Sequence, residues 1–145
     1  MPATETRAAR AARWRPALIA VAAAGLAGVV VARYARAEVR GMSMVPALHP
    51  GDRVLVRRWQ PIRRGDIVLF RAPDGREVIK RLAGGPGDPV DLGRGPERLG
   101  AGEVAVLGDN AQASTDSRRW GPGPIGAVRG RVVGIYHPAH RRTRW

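Results

Sequence analysis

Beyond Arg40 the apolar residues of this chain come in short, β-branched runs, and nearly every run ends at a turn built on glycine or proline. That punctuation constrains the fold more than any other feature, because Gly and Pro interrupt helices and leave no room for long ones. The expected architecture is mainly β, with strands over Arg53 to Arg57, Asp66 to Arg71, Arg76 to Leu82, Glu103 to Leu107 and Val128 to Tyr136. Turn signals separate them: His49-Pro50-Gly51-Asp52, Arg64-Gly65-Asp66, Ala72-Pro73-Asp74-Gly75 and the stretch from Gly84 to Pro89. Pro73-Asp74-Gly75 reads as a hairpin that sets strand 76–82 beside strand 66–71. A length of 145 residues suits one such domain with an appendage and excludes a multidomain enzyme. Without cysteine there is no disulfide framework, thiolate metal site or thiol nucleophile, so covalent chemistry falls to a hydroxyl, amine or carboxylate.

The amino-terminal appendage divides by charge. Residues 1–15 form a basic tail carrying Arg7, Arg10, Arg13 and Arg15 against Glu5, and residues 16–32 form an uncharged apolar run. At about 1.5 Å per residue, that run sits at the lower limit for crossing a hydrocarbon layer of roughly 30 Å. Trp14 and Tyr34 bracket it as interfacial aromatics do. The expected organisation is a single transmembrane anchor over 16–32, a linker over 33–39 and a catalytic domain over 40–145. The domain is expected on the extracytoplasmic side of the cell membrane. Small residues over Ala35 to Ala37 also fit a cleavable signal peptide, the main rival reading, against which the length of the run argues.

The formal charge is +13, from 25 basic and 12 acidic residues, and among the basic ones Lys80 alone is lysine. Arg and Lys exchange freely where both are merely solvated, but a desolvated lysine can lose its proton near neutral pH. In the expected strand 76–82, alternation puts Val78, Lys80 and Leu82 on one face, which turns the ammonium toward apolar surface and favours the neutral amine. The bland alternative is a lysine that snorkels at a sheet edge. Serine is nearly as scarce, at Ser43, Ser114 and Ser117. Ser43 lies in the Gly-bearing turn Gly41-Met42-Ser43-Met44-Val45-Pro46, and its hydroxyl needs a base to act as a nucleophile. His137 and His140 lie in a basic tail and His49 in a Pro-flanked turn, so no Ser-His-Asp triad suggests itself. Lys80 is the remaining candidate.

Taken in order, these segments resemble the type I signal peptidases and their Ser-Lys protease relatives. GMSMVPALHPGDRVLV is similar to the family's nucleophile segment, and RGDIVLF followed by VIKRLAGGPGDPV to its lysine segment. GDNAQASTDSRRWGPGPIGAVRGRV is similar to its carboxy-terminal segment, so the likeness runs from about Val39 to Ile135. Any one segment alone would be weak; the ordered set is specific. The resemblance implies a small, irregular β-barrel-like catalytic domain preceded by one transmembrane helix. It further implies Ser43 as nucleophile, Lys80 as general base and the Ser43 backbone N–H as part of the oxyanion hole. Gly41 stands where some relatives place a second donor hydroxyl, which leaves that donor open. Ser114 is implied to orient the lysine, Arg81, Asp109, Asp116 and Arg118 to form supporting ion pairs, and Met44 to line the floor of the substrate pocket. Larger members insert a second β domain between the lysine and GDN segments, whereas here only about twenty residues, Pro89 to Gly108, stand between them.

The implied function is a membrane-anchored serine endopeptidase that removes signal or leader peptides from the amino termini of precursor proteins, cutting after small residues. Its partners would be those precursors and membrane lipid, with no cofactor and no metal. The alternative is a maturation protease dedicated to one partner, such as a nickel superoxide dismutase, using the same residues. A charge of +13 also raises nucleic-acid binding. The arginines, however, are spread along the chain, few aromatics are available to stack bases and no binding signature occurs, so no nucleic-acid partner is expected. A self-cleaving repressor would share Ser-Lys chemistry, but an apolar run stands where its helix-turn-helix would be.

Overall fold

The computed structural model describes residues 20–25 and 32–145, and the chain divides into two units, Met1–Arg33 and Tyr34–Trp145. In the first unit residues 20–25 are helical. The expected basic tail over 1–15 and most of the expected span over 16–32 lie outside the described residues. Among the described residues no helix is long and apolar enough to cross a membrane.

The second unit is mainly β. Its strands are β1 (Tyr34–Glu38), β2 (Arg53–Arg57), β3 (Ile67–Arg71), β4 (Glu77–Gly84), β5 (Pro89–Asp91), β6 (Pro96–Arg98), β7 (Glu103–Leu107), β8 (Gly123–Pro124), β9 (Val128–His137) and β10 (Thr143–Arg144). One antiparallel sheet runs in the order β1-β2-β9-β3-β4-β7-β8, with β10 also paired to β9, and β5 and β6 form a separate hairpin. The long strands fall where β-branched runs predicted them. The 33–39 stretch, expected as a linker, instead carries β1. Its sequence YARAE has little β-branched character, and it is held by pairing along its whole length with β2, from Tyr34 opposite Arg57 to Glu38 opposite Arg53. Such non-local support is invisible to local propensity.

β3 is buried on both faces from Ile67 to Phe70, which is why its sequence is continuously apolar rather than alternating. Ile67 and Leu69 join Val54, Val56, Val132, Ile135 and Met44 in one cluster. Val68 and Phe70 join Leu82, Val104 and Val106 in the other. Each fully buried Val or Leu contributes about 1.5–3 kcal/mol. Register shifts interrupt the pairing of β9 with both β2 and β3, and such bulges bend and twist a sheet. Gly130 lies at that bend, where a Cβ would come within 2.6 Å of the Arg57 carbonyl oxygen. Only glycine fits.

The β3–β4 hairpin forms as its turn predicted, pairing Phe70 with Val78 and Val68 with Lys80. Gly75 takes a φ of +84° and donates its N–H to the Ala72 carbonyl at 2.8 Å. Between β4 and β7 the β5–β6 hairpin closes a small cluster of Val90, Leu92, Leu99 and Ala105.

Candidate active site

β4 delivers Lys80. Strand alternation sets it beside Val78 and Leu82, both packed into the Val68 and Phe70 cluster, and Lys80 is only 4% exposed. Desolvation lowers its pKa below the ordinary lysine value; the negative charge of Asp116 opposes the shift and the positive charge of Arg118 adds to it. The neutral amine is therefore favoured more than in water.

Ser43 comes from the connection between β1 and β2. That connection is closed on itself, with Val39 N–H donating to the Asp52 carbonyl at 2.8 Å and Gly51 N–H to the Val39 carbonyl at 3.0 Å. Asp52, 1% exposed, accepts from His49 N–H at 2.8 Å and from Arg141 Nε and Nη2 at 2.9 and 3.1 Å. Burial alone would raise the Asp52 pKa, but Arg141 and the His49 N–H outweigh it and hold the carboxyl below its usual range. Met44 is buried in the core beneath the turn. Gly41 opens the turn at a φ of +71°, a conformation that favours glycine. Among the described residues, the Ser43 backbone N–H donates to no protein acceptor, which leaves it free to meet a substrate oxygen.

Ser43 and Lys80 line one cleft of about 620 Å³, together with Met44, Leu69 and two stretches of chain, residues 36–40 and 76–79. A third element, the loop after β7, packs behind Ser43. Gly108 is wedged there: a Cβ would collide with Ser114 Oγ and stand 2.6 Å from the Ser43 carbonyl oxygen. The same carbonyl accepts from Asn110 N–H at 2.9 Å.

Asp116 organises this loop. It is fully buried and accepts from Gly108 N–H at 2.9 Å, Ser114 Oγ at 2.6 Å, Arg118 Nε at 2.9 Å and Arg118 Nη2 at 2.5 Å. It also caps the single-turn helix Ser117–Trp120 by accepting from Arg118 N–H at 3.1 Å. Burial pushes its pKa up, but the Arg118 side chain, the Gly108 N–H and the Ser114 hydroxyl outweigh this and bring it from 3.8 to about 2. Because the Ser114 proton is committed to Asp116, the Ser114 oxygen keeps only its capacity to accept. Ser117 is buried as well, and its Oγ accepts from Val106 N–H at 3.0 Å.

Arg81 forks onto Asp109, Nε to Oδ1 at 2.8 Å and Nη2 to Oδ2 at 2.7 Å, while its Nη1 reaches the Gly65 carbonyl at 2.7 Å. This bidentate geometry ties β4 to the end of β7 next to Lys80.

Of the residues singled out from the sequence, Ser43, Lys80 and Met44 thus share the cleft. Ser114, Asp116 and Arg118 form one cluster whose charges reach Lys80, and Arg81 pairs with Asp109. Ser114 itself borders a separate depression with Ala111 and Arg118. Gly41 has no side chain to supply a second oxyanion hydroxyl. Among the described residues no group of three or more metal-ligating side chains is gathered. Sequence reasoning missed the Asp52–Arg141 pair and Gly108. The former joins residues 89 positions apart, and nothing local distinguishes Arg141 from the other arginines of a basic tail.

The profile of the family described as "Signal peptidase, peptidase S26" matches residues 11–96 and 92–137. The chain belongs to that family. It is 37% identical over 108 residues to the mitochondrial ATP-independent inner membrane protease subunit 1b of Arabidopsis thaliana, covering 64% of each chain. It is 38% identical over 104 residues to the mitochondrial inner membrane protease subunit 1 of Mus musculus, covering 63% of each. A probable signal peptidase I-1 of Synechocystis is 30% identical over 135 residues, covering 68% of this chain and 69% of the relative. The chain thus spans just under two thirds of the length of the first two curated relatives.

Proposed function

We propose that this chain is a serine endopeptidase that cuts amino-terminal signal or leader segments from precursor proteins after small residues. The observation that carries the reading is a lysine 4% exposed on an apolar strand face, with a lowered pKa, lining the same cleft as a turn serine. Ser43 Oγ attacks the scissile carbonyl while neutral Lys80 Nζ takes its proton. The developing oxyanion meets the Ser43 N–H. Lys80 then protonates the leaving amine, and water, deprotonated by Lys80, hydrolyses the acyl-enzyme. Ser114, whose own proton is held by Asp116, is left able to accept from the lysine when substrate is bound and so to orient it. Substrate lies extended in the cleft between residues 36–40 and 76–79, pairing as an added strand, with its small side chain over Met44. The apolar run over 16–32 anchors the chain, and the domain acts on the extracytoplasmic side of the membrane. The family membership and the membrane proteases among its relatives support this reading.

The test incubates the full chain in lipid vesicles with a panel of secretory precursors and maps the new amino termini by mass spectrometry. Ser43→Ala and Lys80→Arg are each expected to lower cleavage by at least about 10³-fold with the fold intact. Full activity in Lys80→Arg would rule out the dyad, because a guanidinium stays charged. Cleavage of a single precursor from the panel would instead assign a dedicated maturation role.

A further inference from the structure

The cleft that holds Ser43 and Lys80 is walled by two strands, each with a free backbone edge. β1 ends the sheet, and β4 pairs with β7 only from Arg81 onward, so Glu77 to Lys80 keep one edge open. Alternation sorts the side chains of both walls. On β1, Ala35, Ala37 and Val39 turn to the core cluster that contains Met44 and Leu69. The charged residues between them turn away: the Arg36 guanidinium stands 5.8 Å from the centre of the Tyr136 ring, and Glu38 lies 3.9 Å from Arg53. On β4, Ile79 packs against the same core cluster, and Glu77, two residues before it, shares its face. The floor of the cleft is therefore apolar from Met44 to Ile79 and ends at an exposed carboxylate.

Among the described residues that carboxylate enters no hydrogen bond or ion pair, and the two cations nearest to it in the hairpin are turned elsewhere. Arg71 stands opposite Glu77 across the β3–β4 pair but gives its Nε–H to the Gly75 carbonyl at 3.4 Å, and Arg76 is held by Asp74 at 2.6 Å. In a chain of 25 basic and 12 acidic residues, an acidic group left open on a cleft wall is an exception, and its natural complement is a cation brought by the ligand. Strand geometry then supplies a register. On the proposed function the residue before the scissile bond lies over Met44, and the side chains of an extended leader that face the same floor recur every second residue, about 6.6 Å apart. The third residue before the cut meets Ile79 and Leu69. The fifth meets Glu77, which is itself one such repeat along β4 from Ile79.

We propose that Glu77 is a specificity residue that selects leaders carrying lysine or arginine at the fifth residue before the cut, a role that rests on the protease reading. The test uses the full chain in detergent and peptides of one leader sequence with Lys or Glu placed in turn at the second, third and fifth residues before the cut. At the fifth residue kcat/KM is expected to favour Lys over Glu by about tenfold, with the difference in KM, as suits an exposed ion pair. Glu77→Gln should lower that ratio about fivefold, and Glu77→Arg should bring it below one. At the second residue, which faces away from the floor, the ratio should not depend on residue 77. A Lys-to-Glu ratio at the fifth residue that is the same in all three proteins overturns the proposal. So does a shift of equal size at the second residue, which would mark a general charge effect, or a dependence confined to the third, which would break the register. Fluorescence anisotropy of the same peptides on Ser43→Ala, with and without Glu77→Gln, reads the pairing without turnover. Lysine-preferring binding that Glu77→Gln removes, with no cleavage by the unsubstituted chain, would count against the protease reading and leave the role of Glu77 standing. Absence of both cleavage and binding would overturn the two together.

Discussion

Asp52 and Asp116 are both buried carboxylates held by an arginine, yet they serve the two halves of the site in different ways. Asp116 gathers its partners locally: Ser114, Arg118 and the Gly108 N–H all lie within one loop. Its charge reaches Lys80 and its oxygen fixes the hydroxyl implied to orient that lysine. Asp52 reaches across the chain to Arg141 and closes the turn that carries Ser43, but no partner of Asp52 belongs to the proposed catalytic groups. In the proposed mechanism one carboxylate shapes the chemistry; the other holds the frame. A buried pair is costly to break from one side, because the surviving charge is left without a partner.

The widest separation between the two should come from truncation. Asp116→Ala is expected to cost about 3–5 kcal/mol of stability and, by releasing Ser114, to lower kcat by about 10²-fold as the lysine loses its position. Denaturant unfolding beside single-turnover cleavage measures both. Asp52→Ala should lose a similar stability of about 3–5 kcal/mol, while the folded fraction keeps cleavage within about tenfold of the unsubstituted chain. Equal loss of kcat in the two variants would erase the distinction. Ser114→Ala is the finer probe, with a stability cost near 1 kcal/mol and a fall in kcat at unchanged KM; a rise in KM alone would assign Ser114 to substrate binding instead.

The smallest effect concerns acid. Asp116 has a folded pKa of about 2 against the usual 3.8, so it binds a proton less readily in the folded chain than in the unfolded one. Its stabilisation is complete above about pH 4 and is lost as pH falls toward 2. Asp52, also lowered, acts with the same sign, and Asp116→Asn should flatten the acid limb of an unfolding titration. Lys80 has the opposite consequence for rate: in the proposed mechanism its neutral form is the base, so cleavage is expected to decline as pH falls through its lowered pKa. An acid limb unchanged in Lys80→Ala residual activity would assign that limb to another group.

Much of this was legible beforehand, and for physical reasons. β2, β3, β4, β7 and β9 are long enough for β-branched composition to declare them, and the Pro73–Gly75 turn fixed the register that buries Lys80. Asp116 and Arg118 stand two residues apart inside a segment with a family likeness, which brought them forward together. β1 was missed because YARAE depends on β2 for its hydrogen bonds. Arg141 was missed because its meaning lies in a carboxylate 89 residues away. Gly108 was hidden for another reason: a glycine required by the close approach of Ser43 and Ser114 looks no different from one required by a turn.

β1 also sets a length. It starts two residues past the apolar run and heads for Gly41 and Ser43. Its five residues, at about 3.3 Å each, measure about 17 Å. On the proposed function, a leader lying extended along the cleft beside this strand would need a polar stretch of comparable reach before its scissile bond. Too short a stretch would stop the bond before it arrived at Ser43 Oγ, and too long a one would have to loop outward. On the proposed function the strand is in this sense a gauge, and the position of the cut would be counted out by the length of β1 as well as by the residues on either side of it.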